Sequence, residues 1–526
     1  MSAVEWLAEL AVPACFPHAP KHVEIVQTHL SVVCLAGDLV YKLKKAITLP
    51  FVDFATLSAR RNTCRDEVRL NRRLCPDTYL GTAALRRRDG GLRFAATGDD
   101  DGRDDLDVAV VMRRLPAERM LDELVRRAQV STAEIEGLAR HMARFHARAD
   151  RGPEVLAAGD PDQLAAFAAA NFTELQAMPG HGLPEDLLAR LADATADDFA
   201  RLLPALRARA TAGRVVDGHG DLHARNICMT APPTVYDCIE FKAAFRCGDV
   251  ATENAFLAMD LRHRGAPGLA AAYVRAYAAA SGDAEMAALL PVLCCYRAMV
   301  RAKVATLAAA DAELPAADRD GARHSAHRHL LLAAAYAIEA RGPCWVVICG
   351  PPASGKSRLC EAIAEAAHWR HFHTDLVRKE LAGIPPTGRA RAEHYTAEFS
   401  RRTYAEMCAR AAAATRGGDT VVMLDGNYPT PGHRAEAAAA AHAAGARLVT
   451  AFVDVDAATA AARAARRQHD PDNVSDAGPE QLAALRLRFV PPTAAEGTRL
   501  LHLDGATAPT GLAAELLSRM LAPRGA

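Results

Sequence analysis

Six apolar residues, Cys344-Trp-Val-Val-Ile-Cys349, run directly into Gly350-Pro-Pro-Ala-Ser354-Gly355-Lys356-Ser357 and then into a helix-forming segment. A short apolar run without alternation suits a strand buried on both faces, as in parallel sheets. Parallel strands need crossover helices between them, so the chain beyond this point has to alternate β and α. It does so: residues 420–424 and 447–453 read as further strands separated by helical stretches. The expected fold of residues 341–526 is therefore α/β, a doubly wound parallel sheet. The turn itself fits G-x-x-x-x-G-K-[ST] in full. Its glycines let backbone N–H groups wrap a phosphate, and the helix that follows points its positive end at it. Lys356 can bridge the β- and γ-phosphates of ATP, and Ser357 can ligate Mg2+. Gly350, Ser354, Gly355, Lys356 and Ser357 are the expected nucleotide-binding residues.

The residues beyond the P-loop helix narrow the chemistry. Asp375, in His371-Phe-His-Thr-Asp375-Leu-Val-Arg378-Lys379, falls at the end of the expected second strand, where residues face the ligand crevice. A carboxylate there can take a proton from an acceptor hydroxyl, and Arg378 can neutralise phosphate or anchor a substrate. The next strand ends Val421-Val-Met-Leu-Asp425-Gly-Asn427, which puts Asp425 near the expected Mg2+. In Arg463-x-x-Arg466-Arg467, Arg463 and Arg467 lie one helical turn apart and share a face. A mobile helix of this kind closing over ATP would bring charge to the transferring phosphoryl group. Singly, each feature has an ordinary structural reading: a helix cap, a turn, a solvated face. Their order behind residues 350–357 is what points to a kinase. With Asp472-x-x-Ser475-Asp476-Ala477, they resemble the P-loop kinases related to polynucleotide 5′-kinase, the zeta toxins, chloramphenicol phosphotransferase and gluconate kinase. The resemblance covers most of residues 343–495 and implies phosphoryl transfer to a hydroxyl, with Asp375 as base. It does not choose the acceptor.

Upstream of residue 340 the pattern changes. β-Branched runs at 23–28 and 108–112 mark a strand-rich start over roughly 23–113, and long amphipathic helices follow. A chain of 526 residues needs more than one core, and the helix expected at 322–340 ends in the stop signal Arg341-Gly342-Pro343. The expected domains are 1–340 and 341–526. The informative upstream stretch is Val216-Asp-Gly-His219-Gly-Asp221-Leu-His-Ala-Arg-Asn226-Ile. Asp221 and Asn226 have the separation of the kinase catalytic loop H-R-D-x-x-x-x-N, where one faces an acceptor hydroxyl and the other reaches the metal. Asp237, after the short run Thr234-Val-Tyr236, is placed to be the main Mg2+ carboxylate.

These residues closely resemble the aminoglycoside phosphotransferase-like family over residues 20–310. That resemblance implies an α+β, protein-kinase-like bilobal fold, with a small strand-rich lobe and a helical lobe. It implies that Lys42 in Leu39-Val-Tyr-Lys42, or Lys44 on the same strand face, holds the ATP phosphates. Glu67 would pair with that lysine, and Met112 would belong to the hinge whose backbone meets adenine. Asp221 would be the base, with Asn226 and Asp237 on Mg2+. Asp237-Cys-Ile-Glu240-Phe241 with Arg246-x-x-Asp249-Val-Ala-x-Glu253 fits a subgroup fused to a P-loop kinase. No G-x-G-x-x-G covers the phosphates; Thr28-His-Leu-Ser31 is the candidate loop.

Charge and cysteine usage bound the setting. Lys+Arg and Asp+Glu both number 63, a balance that speaks against a nucleic-acid or membrane-surface binder. The 13 cysteines include no C-x-x-C pair, so neither a disulfide framework nor a zinc site is signalled, and a reducing compartment is expected. No apolar run approaches the ~18 residues of a membrane span, and no leader pattern opens the chain. The expectation is a cytoplasmic protein using ATP and Mg2+ on small-molecule hydroxyl acceptors. The alternative is an N-terminal binding module, with only the P-loop domain catalytic, on a nucleotide or nucleic-acid 5′-hydroxyl.

Overall fold

The computed structural model describes residues 3–49, 52–96, 104–312, 314–467 and 484–523. The chain divides into two compact units, residues 1–164 with 203–290, and 165–202 with 291–526. The join expected at 340/341 lies inside the second unit, because residues 291–340 group with the C-terminal sheet.

The first unit opens with β1 (Val23–Gln27), β2 (Ser31–Ala36), β3 (Leu39–Lys44), the short hairpin β4 (Thr48–Leu49) and β5 (Val52–Asp53), β6 (Tyr79–Arg88), β7 (Gly91–Ala96) and β8 (Asp107–Arg113). Six of these form one antiparallel sheet in the order β1-β2-β3-β8-β6-β7. Alternation along β3 decides what each face does. Tyr41 and Leu43 join Trp6, Leu10, Phe16 and Phe94 in one cluster. Val40, on the other face, joins Val108, Val110 and Met112 beneath Cys64 and Val68 of the helix Leu57–Asn71. Lys42 and Lys44 share the face of Val40, so the strand period aims both lysines at that helix. Thr56 caps the helix by accepting the Ala59 N–H.

The rest of the unit is helical around two small two-stranded antiparallel sheets. β9 (Val215–Asp217) pairs with the later β12 (Cys247–Asp249), and β10 (Ile227–Cys228) pairs with β11 (Thr234–Val235). Helices Thr132–Arg148, Val250–His263 and Pro267–Ser281 pack together, the middle one buried from Val250 through Leu261. Arg209, buried, clamps both Asp249 and Asp283. This is the strand-rich and helical composition expected of the protein-kinase-like domain.

In the second unit, β13 (Cys344–Cys349), β14 (Arg370–His373), β15 (Val421–Asp425), β16 (Arg447–Asp454) and β17 (Arg499–Asp504) form one parallel sheet, ordered β14-β15-β13-β16-β17. All six residues of the central β13 are buried. Trp345, Val347 and Cys349 pack on Met407, Ala411 and Ala437 of helices Ala397–Arg416 and Pro431–Ala443. Cys344, Val346 and Ile348 point the other way and are equally buried, so helices are needed on both faces. Ala316–Glu339, Lys356–Ala367 and Pro509–Leu521 pack together to supply the second layer. The doubly wound sheet is as expected; β13, β15 and β16 lie within one residue of their expected bounds, β14 ends two residues short of Asp375, and β17 was not expected.

Candidate functional sites

In the first unit, β3, the helix Leu57–Asn71 and the segment after β11 bring five charges together. Lys42 Nζ lies 2.9 Å from Glu67 Oε1 and 2.5 Å from Asp237 Oδ1. Lys44 Nζ sits 2.5 Å from the other Glu67 oxygen and 2.5 Å from Glu240 Oε1. The two lysines that compete for one role in the sequence therefore share Glu67, and Lys42 is the one that reaches Asp237. Burial alone would lower both lysines. Asp237 and Glu67 reverse that for Lys42, and Glu240 and Glu67 for Lys44, so each is raised above its ordinary value. Burial pushes Glu67 up, but the two ammonium groups outweigh it and hold it at about 2. Burial raises the Glu240 carboxyl above its ordinary value against the pull of Lys44; counted formally, three carboxylates around two ammonium groups leave one surplus negative charge.

Asp237 is held in an unusual backbone conformation, φ +62°. Its N–H donates to Tyr79 Oη at 3.2 Å, and the next N–H, of Cys238, donates to Asn71 Oδ1 at 2.9 Å. Asn71 in turn donates to the Glu67 carbonyl at 2.9 Å. Tyr79 and Asn71 thus fix Asp237 relative to Glu67. No sequence motif marks either residue, and only their place on the elements flanking the site identifies them.

The loop carrying Asp221 is built on buried polar groups. The His219 N–H donates to both oxygens of Glu253 at 3.0 Å, and its Nε2 donates to the Tyr236 carbonyl at 2.9 Å. The Asp221 N–H then reaches His219 Nδ1 at 3.3 Å, which fits a neutral ring, and burial lowers the His219 pKa in agreement. A Cβ on Gly218 would meet Glu253 Oε2 at 2.0 Å, which accounts for the glycine. Asn226 Nδ2 donates to Asp221 Oδ2 at 3.0 Å, and His223 Nε2 lies 3.3 Å from the same oxygen. With its nitrogen turned to Asp221, the Asn226 amide presents its oxygen the other way.

Met112 differs from its expected place. It lies inside the sheet, paired with Val40 on one side and Tyr79 on the other. Its backbone is engaged in the ladder, and the chain leaves the sheet only after Arg113.

In the second unit the loop between β13 and the helix Lys356–Ala367 is shaped by backbone conformation. Gly350, Ala353 and Gly355 have φ of +148°, +66° and +108°. A Cβ on Gly350 would fall 2.1 Å from the Val453 carbonyl oxygen, so only glycine fits against β16. Lys356 is buried and donates to the Pro351 carbonyl at 2.9 Å. Ser357 Oγ lies 3.3 Å from His373 Nε2, which is 3.3 Å from Asp425 Oδ2. Ser357, His373 and Asp425 therefore converge at one end of the sheet. Burial raises the Asp425 carboxyl, but His371, His373 and Lys356 outweigh it and bring it below its ordinary value. His373 is a site residue that the sequence did not single out; its alternation with His371 along β14 was the signal.

Other expected residues are placed differently. Asp375 stands in the first turn of the helix Thr374–Leu381, not at a strand end, and its N–H donates to His373 Nδ1 at 3.1 Å. Arg378 is buried and donates to the His394 carbonyl at 2.7 Å, with the Tyr395 ring 4.6 Å from its guanidinium. It ties down the segment around 394 instead of reaching toward Lys356. Arg463, on the helix Ala457–Arg467, was expected to close over ATP; it donates to the carbonyls of Ser354 (3.2 Å) and Gly505 (2.8 Å), bracing the loop. The Arg467 side chain and Asp472, Ser475, Asp476 and Ala477 lie outside the described residues.

All 13 cysteines are free thiols, and no helix among the described residues is long and apolar enough to cross a membrane.

The model of the phosphotransferase enzyme family matches residues 53–289, and that of an AAA domain matches 346–492. The uncharacterized proteins Rv2004c of Mycobacterium tuberculosis (strain ATCC 25618 / H37Rv) and Mb2027c of Mycobacterium bovis are each 32% identical over 478 residues, 89% of this chain and 90% of theirs. Among solved structures, a gluconokinase from Sinorhizobium meliloti 1021 is 21% identical, covering 34% of this chain and 94% of its own, with a TM-score of 0.25. A GDP complex of aminoglycoside 2'-phosphotransferase-IIIa is 13% identical, covering 59% of this chain and 93% of its own, with a TM-score of 0.36. The chain belongs to the family of these mycobacterial proteins, and joins an aminoglycoside phosphotransferase-like domain to a P-loop kinase-like domain, both of the phosphotransferase kind.

Proposed function

We propose that the protein carries two Mg2+–ATP centres, each moving the γ-phosphoryl group of ATP to a hydroxyl of a small molecule, in the cytoplasm. The observation that carries this reading is Lys42 lying between Glu67 and Asp237 in a chain that also holds a complete P-loop. A phosphate-binding lysine needs a carboxylate to orient it and a second carboxylate nearby for the metal, and both are present.

In the first centre, Lys42 binds the ATP phosphates and Glu67 orients it. The surplus negative charge of the Lys42, Lys44, Glu67, Glu240 and Asp237 cluster suits a divalent cation, which Asp237 and Asn226 would hold. Mg2+ there supplies charge neutralisation at the transferring phosphoryl group. Asp221 takes the proton of the acceptor hydroxyl, and Asn226 and His223 fix its carboxylate. The chain leaving β8, residues 114–116, takes the adenine-edge role expected of Met112. In the second centre the backbone of residues 350–355 and Lys356 hold the phosphates, and Ser357 and Asp425 hold Mg2+. Asp375 is the base, Arg463 keeps the loop in shape, and Arg378 positions the acceptor-side segment. Arg467 remains the candidate for closing charge over ATP. The two centres belong to domains 1–340 and 341–526, and the helices 291–340 serve as packing for the second.

The test is transfer from labelled ATP to pooled acceptors (aminoglycosides, sugars and sugar acids, amino alcohols, nucleosides), with products resolved by mass. Phosphomonoester formation that Asp221→Asn and Asp375→Asn each remove for a different acceptor supports two centres. Hydrolysis without a phosphorylated product from any pool contradicts transfer to a small-molecule hydroxyl.

A further inference from the structure

Cys360 on the helix after the P-loop, His371 on β14 and Asp425 at the end of β15 each offer one ligand atom, and these atoms all lie within 4.8 Å of one another. Cys360 and Asp425 are fully enclosed and His371 is largely so. Two of the polar atoms, His371 Nε2 and Asp425 Oδ2, are buried and make no hydrogen bond of ordinary geometry among the described residues, although each lies near an opposite or polar group. They stand 3.7 Å apart, beyond hydrogen-bond reach. Orphaned buried polar atoms are costly to maintain, and a cation between them would satisfy both. A fourth candidate is close by, since His373 Nε2 is 3.3 Å from the same Asp425 oxygen.

The donor set selects the cation. Mg2+ prefers oxygen, whereas a thiolate, an imidazole and a carboxylate suit zinc, at about 2.0–2.3 Å from each ligand. An ion at the centre of three atoms spread over 4.8 Å reaches all of them after small side-chain rotations. We infer that Cys360, His371 and Asp425 form a zinc site beneath the P-loop, with His373 or water as fourth ligand. The Cys360 S–H bond breaks as the S–Zn bond forms, the proton leaves to solvent, and no redox change occurs. The three ligands come from three separate elements, so no C-x-x-C or H-x-x-H spacing announces them.

Zinc here would act on the P-loop centre. Asp425 is also the carboxylate proposed for Mg2+, so zinc would withdraw it and Mg2+–ATP and zinc would oppose each other. This opposition rests on the proposed role of Asp425; zinc binding itself does not.

The experiment uses the full chain, stripped of metal by a chelator and free of nucleotide. Zn2+ is titrated against a chromophoric indicator, and Co2+ by absorption spectroscopy. One equivalent is expected, with a thiolate-to-cobalt charge-transfer band in the near ultraviolet. Cys360→Ala should remove the band and weaken zinc at least about tenfold, as should His371→Asn, while Cys408→Ala retains both. Thermal melting of the metal-free variants checks that they fold, and the wild-type cobalt spectrum needs no variant at all. A wild-type protein without the band, or a folded Cys360→Ala protein that binds zinc as tightly, overturns the site. Saturating Mg2+–ATP should weaken zinc about tenfold. An unchanged zinc affinity with ATP bound overturns the sharing of Asp425, while transfer activity separately judges the P-loop centre.

Discussion

In the first unit the charges proposed to meet ATP are side chains gathered from far apart: Lys42 bonds Glu67 across 25 residues and Asp237 across 195. In the second unit the corresponding work falls to consecutive residues, three of which hold positive φ and one of which allows no Cβ at all. The first site exists only when the whole unit is folded, and its charges are interdependent because both lysines share Glu67. The second is a local conformation that needs one strand, one turn and one helix. The same ligand chemistry can thus be built from long-range electrostatics or from short-range backbone geometry, and the two should fail differently.

The largest effect expected is on catalysis, and it tests whether the sites are independent. Asp221→Asn and Asp375→Asn should each lower transfer at their own centre by about 10²–10⁴-fold with little change in nucleotide affinity. Steady-state kinetics with two acceptors reads this, and loss of both activities from one substitution would break the comparison. Next in size is Lys44→Met. Removing a buried ammonium group leaves Glu67 and Glu240 facing each other, and should destabilise the first unit by about 3–5 kcal/mol. Lys42→Met, at the more accessible position beside Asp237, should instead weaken nucleotide binding. Denaturant melts alongside nucleotide titrations separate the two lysines.

Gly350→Ala comes third. Its Cβ would collide with the Val453 carbonyl at a φ of +148°, and strain of about 1–3 kcal/mol should weaken ATP at the second centre about 10–100-fold. Nucleotide binding at the first centre should not change. The smallest effect is acid sensitivity. Glu67 and Glu253 are both held at about 2, below the ordinary value of 4.5. Depressed carboxylates stabilise the fold above 4.5 and lose that contribution as pH falls from 4.5 toward 2. Hydrogen exchange over residues 53–164 and 203–289, corrected for the intrinsic rate at each pH, should rise through that window, and corrected exchange that is flat there would remove the electrostatic account of the first site.

Legibility in the sequence divides along the same line. The segment 344–357 was readable to the residue, because apolar run, glycines, lysine and serine are all local signals. The Asp221-to-Asn226 spacing was readable for the same reason. Tyr79 and Asn71 were not, since hydrogen bonds to Asp237 and Cys238 depend on tertiary placement. Neither was the choice between Lys42 and Lys44, because strand alternation puts both on one face and only the position of Asp237 separates them. Arg378 was expected to neutralise phosphate or anchor a substrate, and the helix turns it into the protein toward His394. Met112 was expected in the hinge that meets adenine, but the ladder pairs it with Val40 on one side and Tyr79 on the other.

Nucleotide stoichiometry tests the claim of two centres most directly. Isothermal titration of the full chain with a non-hydrolysable ATP analogue and Mg2+ should give two nucleotides bound per wild-type chain. Lys356→Ala and Lys42→Met should each leave one, in the centre that the other variant removes. A single nucleotide per wild-type chain, lost entirely in Lys356→Ala, would contradict the account and leave the P-loop as the sole ATP site.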